Sequence, residues 1–392
     1  MIRTDKTESG GLLLLVAGAK GAIGSTLAAA VAVMQRDLAP VLPSLTTGHL
    51  FSFLGPLQAT RMAGWDKADG SVTEAIQRHG VIPESLWKPH AQELDSMTVL
   101  RAPAPTADLP TQVEQIVRDI TGLKSQHGPA RAVFVNLLPA AAYRNLGGCR
   151  NLSQLYEQAA AGFIPDLAYA LAAVAAGLPV VNFTPNTVEI PVLLDEAVQR
   201  GVPLAGRDGK TGQTYFKIVL ASALKARHLK IDGWYSLNIL GNADGANLMD
   251  PERAAEKLSN KTNLLDEILG YTIGENYPAP SHKVHIDYYP PRGDAKEAWD
   301  VIDFKGMFGL PMSIRLNLQG RDSVLAAPLV LDLARWTAAL QAAGRCGAVP
   351  ELGFYFKKPV GESAPLTFQD QLTSLARLKC ECREKIAAGS QG

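Results

Sequence analysis

The chain has 392 residues, 47% of them apolar and 19% charged, and its 38 basic and 38 acidic side chains leave a formal net charge of zero. That length suits two domains, or one large α/β domain carrying an insertion. The balanced charge sets up no field to recruit nucleic acid or a membrane surface, so the expectation is a globular enzyme with small-molecule partners.

The first ten residues are polar and expected to fray. Residues 12–16 form a continuous apolar run, as in a parallel strand covered on both faces. The run reads as a strand and not as a signal-peptide core, because Asp5 and Glu8 precede it and a glycine loop follows. Gly18-Ala19-Lys20-Gly21-Ala22-Ile23-Gly24-Ser25 then opens an alanine-rich helix reaching about residue 34. Strand, glycine turn and helix give the context of a dinucleotide loop, although the same spacing also serves a tight turn without cofactor. Gly18, Lys20, Gly21, Ala22, Ile23 and Gly24 are the cofactor-binding candidates of this loop. A second strand is expected at 59–65 and a third at 132–136, ending on Asn136, a further cofactor candidate. Asp66 follows Gly64-Trp65. It is either an acceptor for ribose hydroxyls, which would repel a 2′-phosphate and favour NAD over NADP, or a cap of the next helix.

The apolar stretch 167–181 is broken by Gly177 and Pro179. It reads as a buried helix over 165–176, its terminating glycine and a strand at 180–183, not as a membrane span. Strands alternating with helices imply a doubly wound, Rossmann-type sheet.

Gly206-Arg207-Asp208-Gly209-Lys210-Thr211-Gly212-Gln213-Thr214 then packs an acid, a lysine, two hydroxyls, an amide and three glycines into nine positions. Glycine and threonine N–H groups feeding a helix over 213–226 make an anion cradle. Asp208 cannot be an anion ligand, so it is expected to hold a cationic catalytic group. A phosphate site beside a carboxylate points to a phosphorylated substrate.

Beyond this point the texture changes. Residues 234–240 and 283–289 alternate like half-buried strands, and 302–308 and 312–318 look like two more around Gly309-Leu310-Pro311. They are assigned to a second sheet in an inserted α+β catalytic domain, 213–322. A helix over 326–343, with Pro328 in its first turn, returns to the NAD domain, 1–212 and 323–392. Lys257 and Lys261 would share a helix face, unless Ser259 and Asn260 cap a new helix between them. Lys296 lies in a turn after a strand, and Lys357 follows an apolar run, 352–356, read as a buried strand. Clustered lysines depress one another's pKa, which lets one act as base while others stabilise an oxyanion. Asp322 precedes a helix and is either its cap or a partner for a lysine. His282 and His285 lack a third metal ligand. Cys149, Cys346, Cys380 and Cys382 are scattered, and Cys380-Glu381-Cys382 is too tight for a zinc knuckle. They are read as reduced thiols of a cytoplasmic protein.

Several of these segments resemble, in the same order, motifs of the inositol-1-phosphate synthase family. Residues 206–214 are similar to its G-D-D-x-K-S-G-Q-T, with Arg207 where the family carries Asp or Asn. Ser236-Leu237-Asn238-Ile239-Leu240-Gly241-Asn242-Ala243-Asp244-Gly245 resembles Y-N-x-L-G-N-x-D-G. Residues 257–263 resemble K-E-I-S-K-S-N, Gly293-Asp294-Ala295-Lys296 resembles G-D-S-K, and 322–328 resemble D-S-x-L-A-x-P. Gly64-Trp65-Asp66 matches the family's G-W-D, and the likeness runs from about Leu12 to Pro359.

The resemblance implies an NAD-dependent carbocyclase. C5 of a hexose 6-phosphate is oxidised, the ketone acidifies C6–H, the enolate attacks the carbonyl at the other end, and the retained NADH reduces C5 again. The reading it favours is glucose 6-phosphate to 1D-myo-inositol 3-phosphate. The alternatives are fructose 6-phosphate closing to a five-membered cyclitol phosphate, and a simple sugar-phosphate dehydrogenase. It further implies that Lys257 is the base at the C5 hydroxyl, held by Asp322. Lys261, Lys296 and Lys357 become oxyanion stabilisers and proton shuttles, with Asp208 orienting one of them. Thr211, Gly212, Gln213 and Thr214 hold phosphate and Asn238 a sugar hydroxyl, while Asp208 and Asp322 also reach the cofactor. The family's homotetramer is expected, and a cation activator is left open. One departure stands out: relatives carry a polar loop with a glutamate after the third strand, where this chain reads Asn136-Leu137-Leu138-Pro139-Ala140.

Overall fold

The computed structural model describes residues 11–142, 144–250, 264–279 and 281–389. Lys257 and Lys261 lie outside the described residues. In chain order the strands are β1 Leu12–Ala17, β2 Arg61–Asp66, β3 Val99–Arg101, β4 Arg131–Asn136, β5 Val180–Asn182 and β6 Pro203–Gly206. After them come β7 Lys230–Leu240, β8 His282–Tyr288, β9 Ala295–Lys305, β10 Pro311–Arg321 and β11 Gly347–Ala348. They form a seven-stranded sheet, β11-β6-β5-β4-β1-β2-β3, and a four-stranded sheet, β10-β9-β7-β8.

The larger sheet is parallel throughout. Beside its central strand β4 lies β1, whose six residues are all buried. Leu12, Leu14 and Val16 pack on one face with helices Ala22–Arg36 and Asp322–Ala342, while Leu13, Leu15 and Ala17 pack on the other with Leu109–His127 and Pro165–Ala175. Each buried leucine contributes roughly 1.5–3 kcal/mol, and a two-faced apolar run of this kind fits only the middle of a covered parallel sheet. The chain runs outward from β1 through β2 to β3, then returns to β4 on the opposite side of β1. That reversal opens a crevice at the strands' carboxyl ends, between β1 and β4, where doubly wound folds take their ligands.

Gly177 adopts φ +70° after Pro165–Ala175 and ends that helix ahead of β5, as the sequence predicts. Asp322–Ala342 is long and apolar enough to span a membrane by composition, but it is packed into the core against helix Ala22–Arg36 and the larger sheet.

Several boundaries differ from the sequence reading. The short strands β3, β6 and β11 have too few residues to show a period. The helix starts at Asp322, so Pro328 lies inside it and not in its first turn. Pro350–Phe354 is a 3₁₀ turn, not a strand, because an apolar run of that length fits either conformation. Lys296 lies on β9, which begins at Ala295 directly after the Pro290–Arg292 turn.

Candidate active site

At the crevice, Gly18 sits at φ +86°, and its N–H donates to the Trp65 carbonyl at 2.9 Å. A Cβ on Gly24 would lie 2.3 Å from the Gly18 carbonyl oxygen, so the loop and its helix close on each other only with glycine there. The helix Ala22–Arg36 has Gly21 at its N-cap and no side-chain cap, leaving first-turn N–H groups for an anion. Asp66 accepts the Lys20 N–H at 2.7 Å and the Ala68 N–H at 2.8 Å. Ser71 caps the next helix, so the capping alternative for Asp66 falls away. The Lys20 ammonium is committed to the carbonyls of Ala68 at 3.0 Å and Gly70 at 2.6 Å, which leaves its side chain a loop staple. Asn136 is buried and donates to Asp166 at 2.7 Å and Asn182 at 3.1 Å. Burial pushes the Asp166 carboxyl up from the usual range, against hydrogen bonds from Asn186, Asn136 and Thr184. A close-packed glycine loop, an uncapped helix and a carboxylate at the end of β2 fit the diphosphate and ribose of NAD.

The second half of the site is built on the loop leaving β6. Asp208 takes φ +59°, unusual for a residue with a Cβ, and is buried. A short ladder joins this loop to the segment after the 3₁₀ turn: Lys210 N–H to Tyr355 O at 2.8 Å, Lys357 N–H to Asp208 O at 2.8 Å, and a bridge between Gly209 and Phe356. A Cβ on Gly209 would lie 2.1 Å from the Phe183 ring, so this rung also demands glycine. The ladder brings the Lys357 ammonium to 2.7 Å from Asp208 Oδ1, with both side chains largely out of solvent.

Opposite, Lys296 on β9 reaches Asp322 Oδ2 at 3.2 Å, and the Thr211 hydroxyl donates to Asp322 Oδ1 at 3.1 Å. Asp322 is therefore a partner for a lysine and lies in the first turn of its helix; Arg321 occupies the cap position. Between the two ion pairs, helix Gln213–Ala226 begins at Gly212 without a side-chain cap and with Gln213 and Thr214 buried. Its N-terminal N–H groups and dipole form an anion cradle. Asn238 on β7 is 1% exposed, and neither atom of its amide has a hydrogen-bond partner. Burying an unpaired amide costs about 1–3 kcal/mol, so the amide is open to pairing with a ligand.

Four residues that sequence reasoning missed lie beneath this cradle. Asp300 accepts from Gln213 Nε2 at 2.9 Å, from the Trp234 indole at 2.8 Å and from the Ser236 hydroxyl at 2.5 Å. Lys217, one turn after Gln213, lies 3.1 Å from His282 Nε2. Burial pulls its ammonium down to about 8, against the attraction of Asp300. Lys210 donates to the Gly353 carbonyl at 3.1 Å and to Gln371 Oε1 at 2.9 Å. Burial first, then the charge of Lys357, pulls Lys210 down to about 7. Asp294 accepts from Ser323 at 3.0 Å and Asn242 at 3.3 Å, and burial raises its carboxyl with help from nearby Asp322. The alternation on β7 does place Trp234, Ser236 and Asn238 on one buried face, a signal that its polar members serve something inside. Among the described residues no group of three His, Cys, Asp or Glu side chains is placed to hold a metal ion.

Comparison with known proteins fits this arrangement. The family model for myo-inositol-1-phosphate synthase matches residues 212–323. Inositol-3-phosphate synthase 1 of Bacteroides thetaiotaomicron is 32% identical over 97% of both chains. The chain belongs to the myo-inositol-1-phosphate synthase family. A member from Populus euphratica is 31% identical over 69% of this chain, which spans 58% of that longer protein. The crystal structure of inositol-3-phosphate synthase from Caenorhabditis elegans superposes with a TM-score of 0.84 at 22% identity, covering 96% of this chain and 86% of that one, which shows the shared fold. As a member of this family the protein is an enzyme of the isomerase type, a sugar-phosphate cyclase built on a Rossmann-type NAD layer.

Proposed function

We propose that the protein converts glucose 6-phosphate to 1D-myo-inositol 3-phosphate, with NAD retained through the cycle. The observation that carries this is the convergence of two lysine–carboxylate pairs, Lys357–Asp208 and Lys296–Asp322, on one uncapped helix N-terminus. A phosphate held at Thr211, Gly212, Gln213 and Thr214 brings the rest of the sugar between two ammonium groups. NAD, when bound at the Gly18–Gly24 loop and Asp66, supplies the hydride acceptor and donor at C5. Lys357 and Lys296 are assigned to the oxyanions of the enolate and of the new alkoxide, each aimed by its carboxylate. Asn238 would pair with a sugar hydroxyl. The base at the C5 hydroxyl remains assigned to Lys257, and Lys261 to an oxyanion or proton shuttle.

A second reading, fructose 6-phosphate closing to a cyclopentane, is favoured by one specific feature. The loop after β4 presents Leu137 and Leu138 where relatives carry a carboxylate, a change that alters the surroundings of the acceptor carbonyl. Assembly as a homotetramer is also proposed, supported by the outward face of the second sheet, where Tyr235 and Trp299 are exposed, and by the free edge of β10.

The test is NMR of the product after incubation with NAD and either sugar. A six-membered cyclitol phosphate from the aldose is expected. A cyclopentane from the ketose alone would transfer the reading to the second substrate, and stoichiometric NADH would replace the cyclase by a dehydrogenase. Lys357→Ala should abolish turnover and spare NADH binding; unchanged turnover would refute the site.

A further inference from the structure

Arg207 stands where the family motif carries Asp or Asn, and the proposed chemistry above gives it no task. Its guanidinium contacts Glu189 through a single long approach, Nη1 to Oε2 at 3.5 Å. The Glu189 side chain is only 1% exposed. Burial raises its carboxyl, opposed by Arg207 and by the Asn182 amide, which donates to Oε1 at 2.7 Å. Room for this carboxylate is made by Gly206, where a Cβ would lie 2.3 Å from Glu189 Oε1. Asn182 in turn accepts from Asn136 at 3.1 Å. Starting from the phosphate cradle, the order is therefore Thr211 and Gln213, then Asp208 with Lys357, then Arg207 with Glu189, then Asn182 and Asn136 at the cofactor crevice.

The pairing is poor for a structural ion pair. A guanidinium offers five donors in one plane and matches two oxygens side by side. Here Nη1 makes a long contact, and the buried Nε has no partner. Arg207 N–H is bonded to the Lys358 carbonyl at 2.8 Å, and Arg207 and Lys357 both line one cleft of about 490 Å³. Phe356 and Pro359 supply apolar parts of its wall. A half-buried cation with an unpaired Nε, anchored by a carboxylate and lining a cleft shared with Lys357, is arranged for a ligand carrying paired oxygens.

We propose that Arg207, oriented by Glu189, determines substrate specificity by binding the α-hydroxy-carbonyl end of the open-chain sugar, the end remote from the phosphate. This rests on the cyclase reading above. The carbonyl oxygen and the neighbouring hydroxyl oxygen are the two adjacent acceptors that the guanidinium edge takes. Glucose 6-phosphate and fructose 6-phosphate both carry this unit, so Arg207 discriminates against sugars that lack it. Glu189 acts through Arg207 and is a positioning residue.

The experiment compares wild type with Arg207→Lys and Glu189→Gln on the accepted sugar and on its deoxy analogue, 2-deoxyglucose 6-phosphate for the aldose or 1,3-dideoxyfructose 6-phosphate for the ketose. NADH affinity and Tm are measured alongside. The expected result is a loss of kcat/KM on the order of tenfold to a hundredfold for Arg207→Lys with the intact sugar. The variant should show little further loss with the deoxy analogue, and unchanged NADH affinity. Glu189→Gln should show the same pattern at smaller amplitude, carried mainly by KM. Equal losses on both sugars, or none on either, would overturn the role of Arg207 and leave the cyclase reading standing. A wild type that turns over neither glucose nor fructose 6-phosphate would sink both.

Discussion

Lys210 is a buried ammonium whose two hydrogen-bond partners, Gly353 O and Gln371 Oε1, are neutral. Its depression from the ordinary 10.5 to about 7 corresponds to a cost on the order of 4 kcal/mol at neutral pH, at 1.36 kcal/mol per pKa unit. Lys210→Met removes that cost, but leaves two acceptors unpaired at about 1–3 kcal/mol each. These effects nearly cancel, so stability at a single pH decides nothing; its slope with pH does. The folded-state value is lowered, so between about pH 7 and 10.5 the unfolded chain holds a proton that the folded chain does not. Stability therefore rises with pH across that window, and the full cost is present below it. From pH 7 to 8 the contribution of Lys210 amounts to about 1 kcal/mol, before Lys217, at about 8, contributes in full. Urea unfolding of wild type and Lys210→Met at pH 7.0, 7.5 and 8.0 would read this directly. The variant should lack about 1 kcal/mol of the wild-type rise. Identical pH dependence in the two proteins would refute the reasoning and return Lys210 to a solvated, ordinary ammonium.

Further consequences can be checked on the same material. Gly24→Ala forces a Cβ to within 2.3 Å of the Gly18 carbonyl, and should weaken NADH binding at least tenfold by fluorescence titration; unchanged affinity would remove the loop from the cofactor site. Asp66→Ala should lower NAD affinity and raise that for NADP, narrowing the ratio measured by competition, whereas an unaltered ratio would assign Asp66 to loop folding alone. Asn238→Ala removes an amide with no partner in the protein, so Tm should stay within a few degrees while KM for the sugar phosphate rises about tenfold, the worth of one to two hydrogen bonds. A large fall in Tm with KM unchanged would make Asn238 structural.

What the sequence revealed was local. The Gly18–Gly24 loop was legible because strand, turn and helix are contiguous, and residues 206–214 because an acid, hydroxyls and glycines crowd one turn. What it concealed was pairing and boundary. Asp322 is drawn to Lys296 across the start of a helix, a match that depends on where β9 begins. The Pro290-Pro291-Arg292-Gly293 turn masks that start by only two residues. Helix Asp322–Ala342 extends upstream of its proline because Pro328 needs no N–H partner of its own, and Val324, whose carbonyl loses that bond, is exposed. The burial of Lys210 and Lys217 was invisible because a lysine is usually solvated. Only the packing of Trp234, Phe354 and Gln371 around them shows otherwise.

The Lys357–Asp208 contact joins residues 149 positions apart. A ribosome adding about 5–20 residues per second needs roughly 7–30 seconds to pass from one to the other. During that interval the loop after β6 carries a carboxylate destined for burial, and its counter-charge does not yet exist. The Lys357–Asp208 pair therefore forms only after the second sheet has been made. A stalled or clipped chain that lacks Lys357 keeps the Lys296–Asp322 pair but not the second lysine–carboxylate pair.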